Sequence, residues 1–195
     1  MMLQEKLQHR NIILASQSPR RKELIKSLDI DFQVQVKPVE EHYSSNLKRE
    51  EITHYLAVLK AAVFTSLKKE DIVITSDTIV WFNNTPLEKP KNQEEASNML
   101  QKLSGKKHEV ITSVCLTSLE KQMLEYDVTQ VYFKEFSQEE IAFYIEQFKP
   151  FDKAGSYGIQ EWLGYIGVEK IKGSYVNVMG LPTHLLYKML NEFIS

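Results

Sequence analysis

What most limits the folds open to this chain is the alternation of short apolar runs with longer stretches of helical periodicity. The apolar run within residues 11–15 is too short for a helix and reads as a buried strand. A helix over 19–28 follows, then a half-exposed strand over 32–36. A longer helix over 49–67 repeats Ile52, Leu56, Leu59 and Val63 at helical spacing, which gives one core-facing stripe. Residues 71–76 form a second buried strand, continued by 79–82 into a hairpin turn at Asn83-Asn84. A helix over 93–103 stops at Ser104-Gly105. Two long strands, 109–119 and 123–133, pair around Glu120-Lys121-Gln122. Ser137 with Glu140 makes a capping box for a helix reaching 148. A glycine-rich stretch over 154–167 leads to a strand over 168–171, and Pro182 starts the last helix. Mixed strand pairing with flanking helices predicts an α/β fold with local antiparallel hairpins.

At 195 residues the chain can bury a proper core, as one large domain or as two small lobes sharing a sheet. The net charge of −2 offers no general attraction for nucleic acid or an anionic membrane, so an anionic ligand needs a local cluster of cations. The single cysteine, Cys115, excludes an internal disulfide and any multi-cysteine metal site, and its apolar setting reads as an inert buried thiol. The first ten residues are polar, with no apolar signal core, and no apolar stretch approaches a membrane span. Cytoplasmic residence is the expectation.

The strongest local signal is Ala15-Ser16-Gln17-Ser18-Pro19-Arg20-Arg21. Ser18 suits an N-cap and Pro19 the first helical position, so a strand passes through a tight loop into a helix start. Backbone N–H groups and the positive end of the helix dipole then converge on one point, which suits a phosphate. Arg20 and Arg21 oppose that dipole at a cost of roughly 0.3–1 kcal/mol each. A bound anion removes the conflict; two arginines pointing into solvent are the plainer alternative.

The second signal is Ser76-Asp77-Thr78, at the end of the run Ile72-Val73-Ile74-Thr75. A carboxylate at a strand terminus of an open α/β sheet lies where ligands usually bind. Asp77 could hold a divalent metal or accept a proton, although an aspartate of ordinary pKa, about 3.9, is a feeble base. A turn-capping aspartate is the commoner outcome for such a residue taken alone. Lys60 lies beside the apolar stripe of its helix rather than opposite it. Lys89 and Lys153 acquire meaning only by converging with the arginines on one polyphosphate. Glu40 and Glu41 could supply metal oxygens or form a solvated acidic loop. His9, His42, His54, His108 and His184 show no ligand spacing and receive no role, and Trp81 and Trp162 read as packing residues. The glycines of 155–167 lack the order of a Walker loop or a dinucleotide fingerprint.

Taken together, these pieces resemble the Maf family. The matching segments are Leu14-Ala15-Ser16-Gln17-Ser18-Pro19-Arg20-Arg21, Ser76-Asp77-Thr78, Glu88-Lys89-Pro90, Leu103-Ser104-Gly105, the run from Asp152 through Lys153-Ala154-Gly155-Ser156-Tyr157-Gly158-Ile159 to Gln160, and Val178-Met179-Gly180-Leu181-Pro182. They occur in family order and cover nearly the whole chain. The resemblance implies a single domain over 1–195 with an elongated, two-lobed, mixed-sheet α/β fold. A central cleft is shared with inosine triphosphate pyrophosphatases. It implies hydrolysis of a nucleoside triphosphate between the α- and β-phosphates, aided by Mg²⁺ or Mn²⁺, and a homodimer. By the same match Asp77 is the proton acceptor and Glu41 assists near the metal; Asp77 and Glu41 are the expected metal ligands. Ser16, Ser18, Arg20, Arg21, Lys60, Lys89 and Lys153 surround the phosphates. Arg20, Thr78 and Gln160 match the residues that mark the family's dTTP/UTP branch, and a glutamine amide complements the N–H and carbonyl edge of uracil or thymine. Two departures stand out. Glu161-Trp162 follows Gln160 where the family usually has glycine, and Ser76 replaces the commoner alanine.

These residues lead to a mechanism in which the cations and the metal stabilise pyrophosphate as it leaves the α-phosphorus. One alternative is a non-catalytic nucleotide-binding regulator, since the family is linked to septum formation and cell division. Another is a pyrophosphatase for 7-methyl-GTP, purine or other modified triphosphates.

Overall fold

The computed structural model describes residues 2–195 and runs through α1 (Leu3–Lys6), β1 (Asn11–Leu14), α2 (Pro19–Lys26), β2 (Gln33–Val34), α3 (Glu50–Ala62), β3 (Asp71–Phe82), β4 (Thr85–Leu87) and α4 (Gln93–Leu103). It continues through β5 (Lys107–Thr117), β6 (Gln122–Phe133), α5 (Gln138–Phe148), a 3₁₀ turn (Ala154–Ser156), α6 (Trp162–Gly167), β7 (Val168–Lys172), α7 (Tyr175–Val178) and α8 (Thr183–Phe193). One mixed sheet of seven strands has the order β2-β1-β3-β5-β6-β7, with β4 added to β3. This is the predicted α/β class. The chain forms two compact units, and β3, β5 and β6 each contribute residues to both. One unit holds the described residues up to Asp77 together with Thr112–Asp127 and Gly180–Ser195; the other holds Thr78–Ile111 and Val128–Met179.

In the first unit β1 lies parallel to both neighbours, with Ile12 opposite Ile72, Leu14 opposite Ile74 and Ile13 opposite Gln33. Both β1 and β3 are buried almost throughout, as expected of parallel strands covered on both faces. Helix α3 ends five residues before the predicted 67. Phe64 leaves the helix axis to pack with Ile13 and Val73, and Lys37 donates to the carbonyl of Val63 at 2.9 Å, satisfying the helix end. The buried face of α3 is also rotated from the predicted stripe. It runs through Ile52, Thr53, Leu56, Ala57 and Ala61, with Ala57 and Ala61 against Cys115, while Leu59 is only partly covered. Small side chains let this helix approach the sheet closely, and the Thr75 hydroxyl donates to the carbonyl of Ala57 at 2.7 Å. The strand predicted over 32–36 shrinks to two exposed residues.

In the second unit Asn83 and Asn84 both have positive φ, 47° and 61°, and close a two-residue hairpin with Phe82 opposite Thr85. Ser137 and Glu140 form the predicted capping box of α5. A core cluster includes Val80, Phe82, Leu100, Val131, Phe133 and Tyr144. The short helices α1, α6 and α7 have no counterpart in the sequence reading. Helix α6 lies inside the glycine-rich stretch, where a Cβ on Gly164 would stand 2.0 Å from the Ile159 carbonyl oxygen.

His108 is buried in this core against Phe133 and Tyr157, and shares a 2.7 Å hydrogen bond with the Tyr157 hydroxyl. Burial pushes its imidazole from 6.5 down to about 3. The unfolded chain therefore takes up a proton near pH 6.5 that the folded chain refuses until about pH 3. This contribution to stability is complete above pH 6.5 and is lost as pH falls toward 3, at roughly 1.4 kcal/mol per pH unit. His108→Gln removes the titration, so its melting temperature should drop less between pH 7 and pH 5 than that of the wild type; thermal unfolding at both pH values checks this.

Candidate active site

The site in the first unit begins where β1 ends. Beyond Leu14 the chain turns through Ala15, Ser16 and Gln17 to Ser18, the N-cap of α2, whose side chain accepts from the backbone N–H of Arg21 at 3.4 Å. Ser16 is buried, and its hydroxyl oxygen accepts from the backbone N–H of Ser18 at 3.2 Å. Pro19 occupies the first helical turn, as its fixed φ favours. The loop thus presents two hydroxyls beside a helix N-terminus, the arrangement expected for holding a phosphate.

Arg21 turns inward. Its Nε donates to the carbonyl of Gly180 at 2.8 Å and its Nη1 to the carbonyl of Ser76 at 2.9 Å. Gly180 has a φ of 110°, in the region that favours glycine, which explains why the segment Val178-Met179-Gly180-Leu181-Pro182 carries a glycine there. Burial pushes the Arg21 guanidinium below its ordinary pKa, and the Asp77 carboxylate opposes that effect. Arg20, half-buried one residue earlier, adds a second positive charge beside it.

Asp77 is 7% exposed, near the middle of β3. Its Oδ1 lies 2.7 Å from the Lys60 Nζ, which also meets Glu41 Oε2 at 2.9 Å. The position of Lys60 follows from the packing of α3. Thr75 fastens the carbonyl of Ala57 to β3, Lys60 lies one helical turn beyond Ala57, and Asp77 lies two residues beyond Thr75 on the same strand face. Burial raises the Asp77 pKa above its ordinary 3.8. The charge and hydrogen bond of Lys60 pull it back down, as does the Arg21 charge, while Glu41 adds to the rise. The environment therefore makes this aspartate a stronger base than an exposed one.

Two carboxylates thus meet around one cation. Among the described residues no group of three or more His, Cys, Asp or Glu could form a protein-only metal cage. Mg²⁺ and Mn²⁺ do not need one when substrate phosphates and waters complete their coordination, and one or two carboxylates then suffice. Asp77 and Glu41 fit that requirement.

The other predicted site residues belong to the second unit. Thr78 is half-buried on β3, and Lys89 is exposed on the loop after β4. That loop is tied to the 3₁₀ turn by a 3.2 Å bond from the Gly155 N–H to the Glu88 carbonyl. Gly155 has a φ of 67°, and a Cβ on it would stand 2.8 Å from Val80 Cγ2, so no other residue fits. Lys153 is buried and paired with Asp152 at 2.7 Å and Glu161 at 3.0 Å. Gln160 keeps a buried amide oxygen with no hydrogen-bond partner. Within the first unit, the structure brings Ser16, Ser18, Arg21, Glu41, Lys60 and Asp77 into one linked set. Within the second, the 3₁₀ turn brings the Lys89 loop to the Lys153 segment. Sequence reasoning missed the acceptor roles of Ser76 and Gly180 and the partners of Lys153, because backbone acceptors carry no residue-type signal.

The Maf-like protein family matches residues 11–193 of the sequence. The chain belongs to the Maf family. Curated relatives of this Maf chain include the dTTP/UTP pyrophosphatase of Christiangramia forsetii, 54% identical over the whole of both chains. That of Flavobacterium johnsoniae is 53% identical over 99% of this chain and all of its own. Among solved structures, the Ham1 protein of Staphylococcus aureus superposes with a TM-score of 0.55 at 19% identity, covering 94% of this chain and all of its own, a likeness of fold.

Lys60→Met removes the largest influence holding the Asp77 pKa down, so that pKa should rise further. Carboxyl carbon NMR titration of Asp77 in both proteins measures this, and an unchanged or lower value contradicts the pairing.

Proposed function

We propose that this Maf protein hydrolyses dTTP and UTP to the monophosphate and pyrophosphate. The carrying observation is the buried Asp77 carboxylate held by Lys60 beside the serine loop that opens α2. A buried base next to a helix N-terminus and several cations is what attack of water on a phosphate requires. The names of the relatives support this reaction and these substrates.

In this reading the N-terminal turn of α2, with Ser16, Ser18 and the Arg20 charge, holds phosphate oxygens. Arg21 keeps that turn against the carbonyls of Ser76 and Gly180 and lends its charge from there. Asp77 takes the proton of the water whose oxygen bonds to the α-phosphorus, while the bond from that phosphorus to the bridging oxygen breaks and pyrophosphate departs. Lys60 keeps Asp77 ionised against its burial. Mg²⁺ or Mn²⁺, held by Asp77 and Glu41 together with phosphate oxygens, would neutralise triphosphate charge when bound. For the base, the unpartnered Gln160 oxygen is an acceptor suited to the ring N–H shared by uracil and thymine. The cytoplasm, where those triphosphates are made and used, is the proposed location.

Purified protein with Mg²⁺ should release pyrophosphate from dTTP and UTP faster than from 7-methyl-GTP or dITP. Asp77→Asn should lower kcat by about 100-fold or more, the usual contribution of a general base. Because the Asp77 pKa is raised, the acid limb of kcat/KM should fall above pH 3.8, with activity lost as pH drops through it. Nucleotide binding without pyrophosphate release would favour the non-catalytic regulator, and near wild-type turnover by Asp77→Asn would remove the assigned base.

A further inference from the structure

A polar network of the second unit centres on Glu161. Glu161 Oε1 lies 3.0 Å from the Lys153 Nζ, and Glu161 Oε2 accepts from the Tyr144 hydroxyl. The Tyr144 oxygen in turn accepts from the backbone N–H of Gly158 at 3.0 Å. Burial and the neighbouring carboxylate push the Tyr144 pKa well up, so its hydroxyl remains a donor. A Cβ on Gly158 would stand 2.8 Å from the Glu161 carboxyl carbon, so the glycine makes room for this carboxylate. The two partners of Lys153 differ sharply: the Glu161 side chain is 20% exposed and that of Asp152 56%.

We propose that Glu161 is a positioning residue, one carboxylate that sets both the Lys153 ammonium and the turn carrying Gln160. Lys153 is reached directly and the turn through Tyr144 and Gly158. The roles of Lys153 on phosphate and of Gln160 on the base rest on the pyrophosphatase reading; the network itself does not. A free lysine side chain loses rotamer entropy when it is fixed on a ligand. Glu161 imposes much of that order before any ligand arrives. Asp152, lying open to solvent, is the partner that an incoming phosphate displaces, and the shielded Glu161 stays in place. A glycine at 161 would leave the lysine without this anchor.

The test is a double-mutant cycle of Glu161→Ala and Lys153→Ala, read on calorimetric binding of inorganic tripolyphosphate and, in parallel, on pyrophosphate release from dTTP. Glu161→Ala should weaken tripolyphosphate binding by about tenfold in the wild type and by less than about twofold when Lys153 is already alanine, the non-additivity of residues acting through one another. Equal losses in both backgrounds would make Glu161 a residue of general structure and overturn the proposal. Should Glu161→Ala lose the wild-type near-ultraviolet circular dichroism, Glu161→Gln takes its place in the cycle, since it keeps the volume and the Tyr144 hydrogen bond but not the charge. A wild-type protein that binds tripolyphosphate but releases no pyrophosphate sinks the pyrophosphatase reading, while the binding cycle still decides the role of Glu161.

Discussion

An ionised carboxylate cannot remain buried on a strand unless a cation meets it there, and the first unit is arranged to bring one to Asp77. Six residues of β3 before Asp77 are buried, so water cannot solvate that charge from below. The lysine that does so comes from α3, and it arrives only because Ala57 and Ala61 let that helix sit close to the sheet and Thr75 holds the Ala57 carbonyl. A larger side chain at either alanine would lift α3 and with it the ammonium. The chemistry of the site thus depends on two residues with no chemistry of their own.

Arg21 adds its charge to the same carboxylate. Its fork spans the ends of two separate segments by binding two carbonyls, a task that a lysine, with one compact ammonium, cannot duplicate. A residue whose charge suggests ligand contact is in this structure also a brace for the loop it sits in. Positive charge near the helix start, unfavourable for an isolated helix, is compensated by carbonyl dipoles and the Asp77 carboxylate.

Much of this was legible in the sequence, for identifiable reasons. Strands such as β1 and β3 announce themselves because parallel strands covered on both faces must be apolar throughout. The Asn83-Asn84 hairpin and the Ser137 capping box are readable because few residue types adopt those backbone geometries. The stripe on α3 was misplaced because alanine and threonine bury as well as leucine when the sheet is near, and a pattern built on large apolar residues passes over them. Helix α6 was invisible because its glycines serve close approach, Gly164 to Ile159 and Gly167 to Phe136, rather than flexibility. For the site, the residue types were readable and their partners were not. Nothing in the one-dimensional pattern says that Glu41 and Asp77 share one ammonium, or that Glu161 faces Lys153.

The segments of the first unit are widely separated along the chain. It needs Gly180–Ser195, where Leu186, Met189, Leu190 and Phe193 of α8 are buried. A nascent chain emerging from the ribosome therefore carries β1, α3 and β3 while the apolar residues of α8, which belong to the same unit, are still untranslated. The Arg21 brace, whose second carbonyl is Gly180, forms only after that residue has been translated. Truncated products would expose that uncovered surface to aggregation or to chaperone capture.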